Sequence, residues 1–98
     1  MGLKTRVRSE RLAQKLKQIR EYMNLSQNEL LKRIEFNDIL DRSTISYYES
    51  GKREPPLPIL LSYAKLANIY VDVLIDDEID LPSKLPSREK SNGILKVR

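Results

Sequence analysis

The stretch Asn24-Leu25-Ser26-Gln27-Asn28-Glu29 sets a helix end beside a helix start. Asn tolerates the left-handed backbone that closes a helix. Ser-x-x-Glu is a capping box, in which the serine and glutamate side chains each satisfy a backbone N–H at the helix start. Two helices therefore meet at a tight corner here, and neither runs through it. Leu25, just before the cap, is placed to staple onto Leu30.

The same punctuation recurs on both sides. Upstream, Ser9 can cap a first helix running to about Met23, with Leu12, Leu16, Ile19 and Met23 on one face. Downstream, the second helix carries Leu30, Leu31 and Ile34. Residues 35–40 read as a connection with Asn37 and Asp38 as turn formers. Phe36, Ile39 and Leu40 are too apolar for a fully solvated loop. The expectation is that Ile39 or Leu40 enters the core while Glu35, Asn37 and Asp38 stay outside. Asp41 caps a third helix from Arg42 to about Ser50, Gly51 closes it, and Ile45 and Tyr48 form its inward face. A fourth helix starts near Leu57, since Pro58 fits only a first turn. It carries Leu60, Leu61, Ala64 and Ala67 and stops at Asn68. A short fifth helix covers about Val71 to Ile75. The prediction is an all-α, five-helix domain over 9–76, preceded by a basic arm over 1–8. An acidic belt and breaker-rich tail follow over 77–98.

Charge is unevenly placed. Residues 1–34 hold nine Lys or Arg against three Glu, while 70–82 hold five acids and no base, within a net charge of +4 over 98 residues. A basic front half suggests that one face meets a polyanion. The chain has neither Cys nor His. That removes disulfides, thiolate metal sites, the commonest metal ligand and the commonest general base. No enzyme, cofactor or metal site is expected, and Asp76, Asp77 and Glu78 read as solvated carboxylates. No apolar run approaches the ~20 residues of a membrane span. The charged N-terminus leads into no apolar stretch, so a cytoplasmic location is expected.

Two segments carry a family resemblance: Ile19-Arg20 … Leu25-Ser26-Gln27-Asn28-Glu29-Leu30, and Arg42-Ser43-Thr44-Ile45-Ser46-Tyr47-Tyr48-Glu49-Ser50-Gly51-Lys52-Arg53-Glu54-Pro55. Together they resemble the phage-repressor or Cro-like (XRE) helix-turn-helix family of DNA-binding transcriptional regulators. The resemblance implies that the second and third helices form the helix-turn-helix, with the third in the major groove. It places Arg42, Ser43 and Tyr47 on base edges and Gln27, Ser46, Lys52 and Arg53 on phosphate. Arg20 and Glu49 become a structural ion pair between the first and third helices. The implied partner is double-stranded DNA with a palindromic operator, bound by a homodimer. Ile69, Val71, Val73, Ile75, Ile79 and Leu81 are left over for the dimer contact. Three departures stand out. The connection 35–40 is longer than the family's and lacks its Gly, Leu31 replaces a small residue, and Tyr70, a poor N-cap, stands where the family has Ser or Thr.

Each assignment has a plainer reading beside it. Arg42 suits the bidentate contact to guanine, but is otherwise a phosphate contact or a solvated side chain. Ser43 is also a common first-turn residue. Tyr47 and Tyr48 point about 100° apart, so Tyr48 goes to the core and Tyr47 to a thymine methyl, a phosphate or surface packing. Gln27 is also a good helix former. Arg6, Arg8 and Arg11 form either a DNA-reaching arm or a solvated terminus. An alternative function is an antitoxin-like or adaptor module whose C-terminal tail binds a partner protein.

Overall fold

A computed structural model describes residues 8–85 as five α-helices: α1 Leu12–Tyr22, α2 Gln27–Arg33, α3 Arg42–Ser50, α4 Leu57–Ala67 and α5 Val71–Ile75. No strand occurs among the described residues. Residues 1–7 of the expected arm, Arg6 included, lie outside them. So does the tail beyond residue 85, to which partner binding is assigned.

The first four helices end alike. The N–H after a left-handed residue reaches the carbonyl five positions back: Leu25 to Arg20 (3.1 Å), Phe36 to Leu31 (3.1 Å), Lys52 to Tyr47 (3.0 Å) and Ile69 to Ala64 (3.0 Å). This Schellman closure requires a residue at positive φ. Asn24 (54°), Glu35 (64°), Gly51 (83°) and Asn68 (62°) supply it. Asn and Gly are ordinary there, but glutamate is not. Left-handed backbone costs an L-residue roughly 1–2 kcal/mol, which Glu35 bears because the closure delivers Phe36 to the core.

Helix starts follow the sequence at α2 and α3. Ser26 Oγ accepts the Glu29 N–H at 3.0 Å and Glu29 Oε1 accepts the Ser26 N–H at 2.7 Å. Asp41 Oδ1 accepts from the Thr44 N–H at 3.2 Å. The bonds from Ser26 hold the Glu29 carboxyl below its usual range, and those from Ser43 and Thr44 do the same for Asp41.

At α1 the expected cap is replaced. The helix begins after Arg11, which contributes no side-chain cap. Ser9 Oγ instead donates to the Ile75 carbonyl at 2.6 Å. The cap comes from across the fold, where the Asp77 carboxylate accepts the N–H groups of Glu10 (2.9 Å) and Arg11 (3.0 Å). In return, buried Lys15 sends its ammonium to the carbonyls of Val73 (2.7 Å), Asp76 (2.9 Å) and Ile79 (2.6 Å). Arg11 adds bonds to the Asp77 carbonyl and the Asp80 carboxylate. The acidic stretch is thus not simply solvated. It is hydrogen-bonded to α1, and the boundary expected at residue 76 falls inside this clasp.

The core gathers Leu12, Leu16 and Ile19 of α1, Leu30 and Leu31 of α2, Ile45 and Tyr48 of α3, and Leu74 of α5. From α4 it takes Ile59, Leu60, Tyr63, Ala64 and Ala67. Two expectations are corrected. Leu61 is exposed, because the stripe of α4 runs through Tyr63 and Ile59 instead. Ile69 is buried in the core rather than left over for a dimer. The connection folds back as expected, through Leu40: it and Phe36 pack on the core, Glu35, Asn37 and Asp38 stay outside, and Ile39 is 73% exposed.

Candidate nucleic-acid interface

α3 has two unlike sides. Ile45 and Tyr48 are buried, whereas Arg42, Ser43, Ser46, Tyr47 and Ser50 are exposed. α3 packs against both α1 and α2, so its orientation is set by apolar contact on one side only. The outward side is a row of hydrogen-bonding groups with a guanidinium at its N-terminal end. Ser43 Oγ donates to Asp41 Oδ1 at 3.0 Å, which aims its hydrogen back at the cap and leaves the oxygen as an acceptor.

The inner end of α3 is locked by charge. Arg20 Nε lies 2.6 Å from Glu49 Oε2, and Arg20 Nη2 lies 2.9 Å from Glu49 Oε1. Arg20 Nη1 also donates to the Leu25 carbonyl at 2.9 Å. One guanidinium thus joins α1, the corner before α2, and the end of α3. Its side chain is 15% exposed and that of Glu49 is 5% exposed. The Glu49 hydrogen bond dominates the environment of Arg20 and raises its pKa further. Gln27 completes the lock, its Nε2 donating to Glu49 Oε1 at 3.2 Å. Glu49 is therefore turned inward and paired, and adds no free negative charge to the outward face. Beneath it, the buried Tyr63 hydroxyl has no hydrogen-bond partner among the described residues. Burial pushes its pKa up, and Glu49 adds to the effect.

Beyond Gly51 the chain turns back over α3. The N–H groups of Lys52 and Arg53 both point at the Tyr47 carbonyl, at 3.0 and 3.3 Å. The Arg53 guanidinium sits 4.8 Å from the centre of the Tyr47 ring, a cation–π distance. Tyr47 and Arg53 are thus one stacked unit, although sequence reading treats them separately. Lys52 and Arg53 are exposed. Arg8, read as part of either a DNA-reaching arm or a solvated terminus, donates to the Gly51 carbonyl at 3.1 Å and lies 3.8 Å from Glu54. Arg11 is likewise turned into the clasp with Asp77 and Asp80.

The structure brings Arg42, Ser43, Ser46 and Tyr47 onto one face, with Lys52 and Arg53 at its far end. Gln27 sits behind that face, its amide given to Glu49. Lys15 and Asp77 carry no signal in the sequence because their partners are brought from far away, and the Tyr47–Arg53 stack carries none because it depends on how the chain turns after Gly51. Among the described residues no group of His, Cys, Asp or Glu is arranged to hold a metal ion. No described helix is long and apolar enough to cross a membrane.

Comparison with known proteins bears on this geometry. No curated protein and no solved structure gives a significant match. The sequence profile of the helix-turn-helix family, however, matches residues 16–74. That span runs from α1 into α5 and includes all of α2 and α3. The chain therefore belongs to the XRE-type helix-turn-helix family of DNA-binding transcriptional regulators.

Proposed function

We propose that the protein is a repressor that binds a palindromic operator as a homodimer. In this reading Arg42, Ser43 and Tyr47 meet base edges. Ser46, Lys52 and Arg53 meet the backbone, as does the N-terminal end of α2 at Gln27. The observation that carries it is the division of α3: a polar outward row on a helix whose opposite side is buried and pinned by Arg20, Glu49 and Gln27. A reading helix must hold its donors still, since phosphate contacts set register and base contacts set sequence.

The dimer is supported by apolar side chains outside the core. Leu57 is 77% exposed and Ile75 44% exposed. Both line a groove of about 440 Å³ in which Leu12, Pro55 and Leu60 lie beside Arg8, Glu54 and Asp77. This replaces Ile69 in the expected contact and keeps Ile75. One recognition helix covers too few base pairs for selectivity, so two should lie about 34 Å apart. Selection of bound sites from random duplexes, followed by footprinting, tests the reading. The expected result is a two-fold site bound at about 10⁻⁸ M at moderate salt. Binding without sequence preference, or a footprint lacking two-fold symmetry, would contradict it.

A further inference from the structure

The segment between α2 and α3 is a built turn with one apolar side chain left outside. Phe36 and Leu40 pack against the core. The Phe36 carbonyl accepts both the Ile39 N–H (3.0 Å) and the Leu40 N–H (2.8 Å). The Schellman closure at Glu35 fixes the near end, and Asp41, capping Thr44, fixes the far end. Ile39 is thereby held between pinned neighbours, yet remains 73% exposed. A single exposed apolar residue is ordinary on a protein surface, so exposure alone identifies nothing.

Position and chemistry supply the rest. Ile39 stands three residues before Arg42, at the N-terminal end of α3, the end that meets base edges in a helix-turn-helix. In sequence the turn is flanked by exposed cations, Lys32 and Arg33 before it and Arg42 after it, which suit a polyanion. Its own acids, Glu35 and Asp38, are repelled by phosphate. The middle of the turn is therefore held off the backbone, and Ile39 is its last exposed residue before the cap of α3. Isoleucine offers no hydrogen bond to a phosphate or a base edge. The apolar group that the major groove presents on base pairs is the thymine C5-methyl.

We infer that Ile39 is a specificity-determining residue, packing on a thymine methyl at the edge of each half-site, beside the bases reached by Arg42. This rests on the proposed docking of α3. It assigns to the longer connection a recognition role that a shorter turn could not fill.

Replacing thymine by uracil removes only the methyl, so the test is a cycle on the selected operator. With the unmodified protein, uracil at one thymine position in a single half-site should weaken binding about fourfold, the worth of one buried methyl-sized group, and at both half-sites about fifteenfold. Ile39→Ala, which removes the contact from both subunits, should bind the thymine site about fifteenfold more weakly and be indifferent to uracil there. Its thermal unfolding should be unchanged, because Ile39 makes no core contact. Arg42→Ala should keep the uracil effect. Indifference of the unmodified protein to uracil at every thymine, with Arg42→Ala still losing selectivity, overturns this inference and leaves the docking intact. Failure to select any site overturns both. Weaker self-association of Ile39→Ala, with unchanged uracil sensitivity, would assign the side chain to a protein contact and overturn the inference.

Discussion

Arg20 is the residue on which the orientation of α3 depends most. It makes two bonds to Glu49 and one to the Leu25 carbonyl, so its loss strands a mostly buried carboxylate. Removing one partner of a buried pair costs roughly 3–5 kcal/mol, and residual exposure of Arg20 places Arg20→Ala near the low end. Arg20→Lys should also destabilise, since a lysine cannot form the planar two-bond contact. Denaturant melts give the stability change, and DNA binding should fall only as far as folding does. An Arg20→Ala protein with unchanged melting and abolished binding would mean that Arg20 touches DNA. The positions of Arg20 and Glu49 were legible in the sequence through the family pattern. Tyr48 inward and Tyr47 outward were legible from helical geometry alone. The stacking of Arg53 on Tyr47 was not, because it depends on how the chain turns after Gly51.

At the scale of elements, helix ends were the readable part. Ser26 and Asp41 cap backbone N–H groups three residues on, and Asn24, Gly51 and Asn68 act through their own backbone, so local sequence specifies all five. Glu35 in the left-handed role and Asp77 as a distant cap were hidden, since tertiary contacts impose them. The clasp between α1 and residues 73–80 yields two tests. Lys15→Met leaves three carbonyls without their donor and should lower stability by about 2 kcal/mol or more, at the 1–3 kcal/mol of each unsatisfied buried acceptor. Asp77 behaves differently. The N–H groups of Glu10 and Arg11 hold its carboxyl below the usual value near 4. Its contribution is therefore complete above that value and disappears as acid protonates the folded form below it. Stability measured between pH 6 and pH 2 should fall less for Asp77→Asn than for the unmodified protein. An identical acid slope in both would show that Asp77 does not cap α1.

For the molecule as a whole, a core this small leaves large apolar side chains exposed at the surface. Leu57 and Ile75 lie outside the core, and burying such side chains is worth roughly 1.5–3 kcal/mol each. Leu57→Asp should shift the protein toward monomer in sedimentation without lowering its melting temperature at low concentration. It should also weaken binding to the full operator more than to a half-site. Unchanged sedimentation would move the dimer contact elsewhere. The central claim is that α3 reads bases with its N-terminal turn while the residues after Gly51 hold the backbone. The most direct measurement compares Arg42→Ala and Lys52→Ala on the selected operator and on random duplex across a salt series. Arg42→Ala should lose about 1–3 kcal/mol on the operator and little on random DNA. Lys52→Ala should weaken both alike and reduce the salt slope by about one phosphate per bound subunit. If Arg42→Ala weakens operator and random DNA equally, or Lys52→Ala leaves the salt slope unchanged, the face described here is not the DNA-reading face.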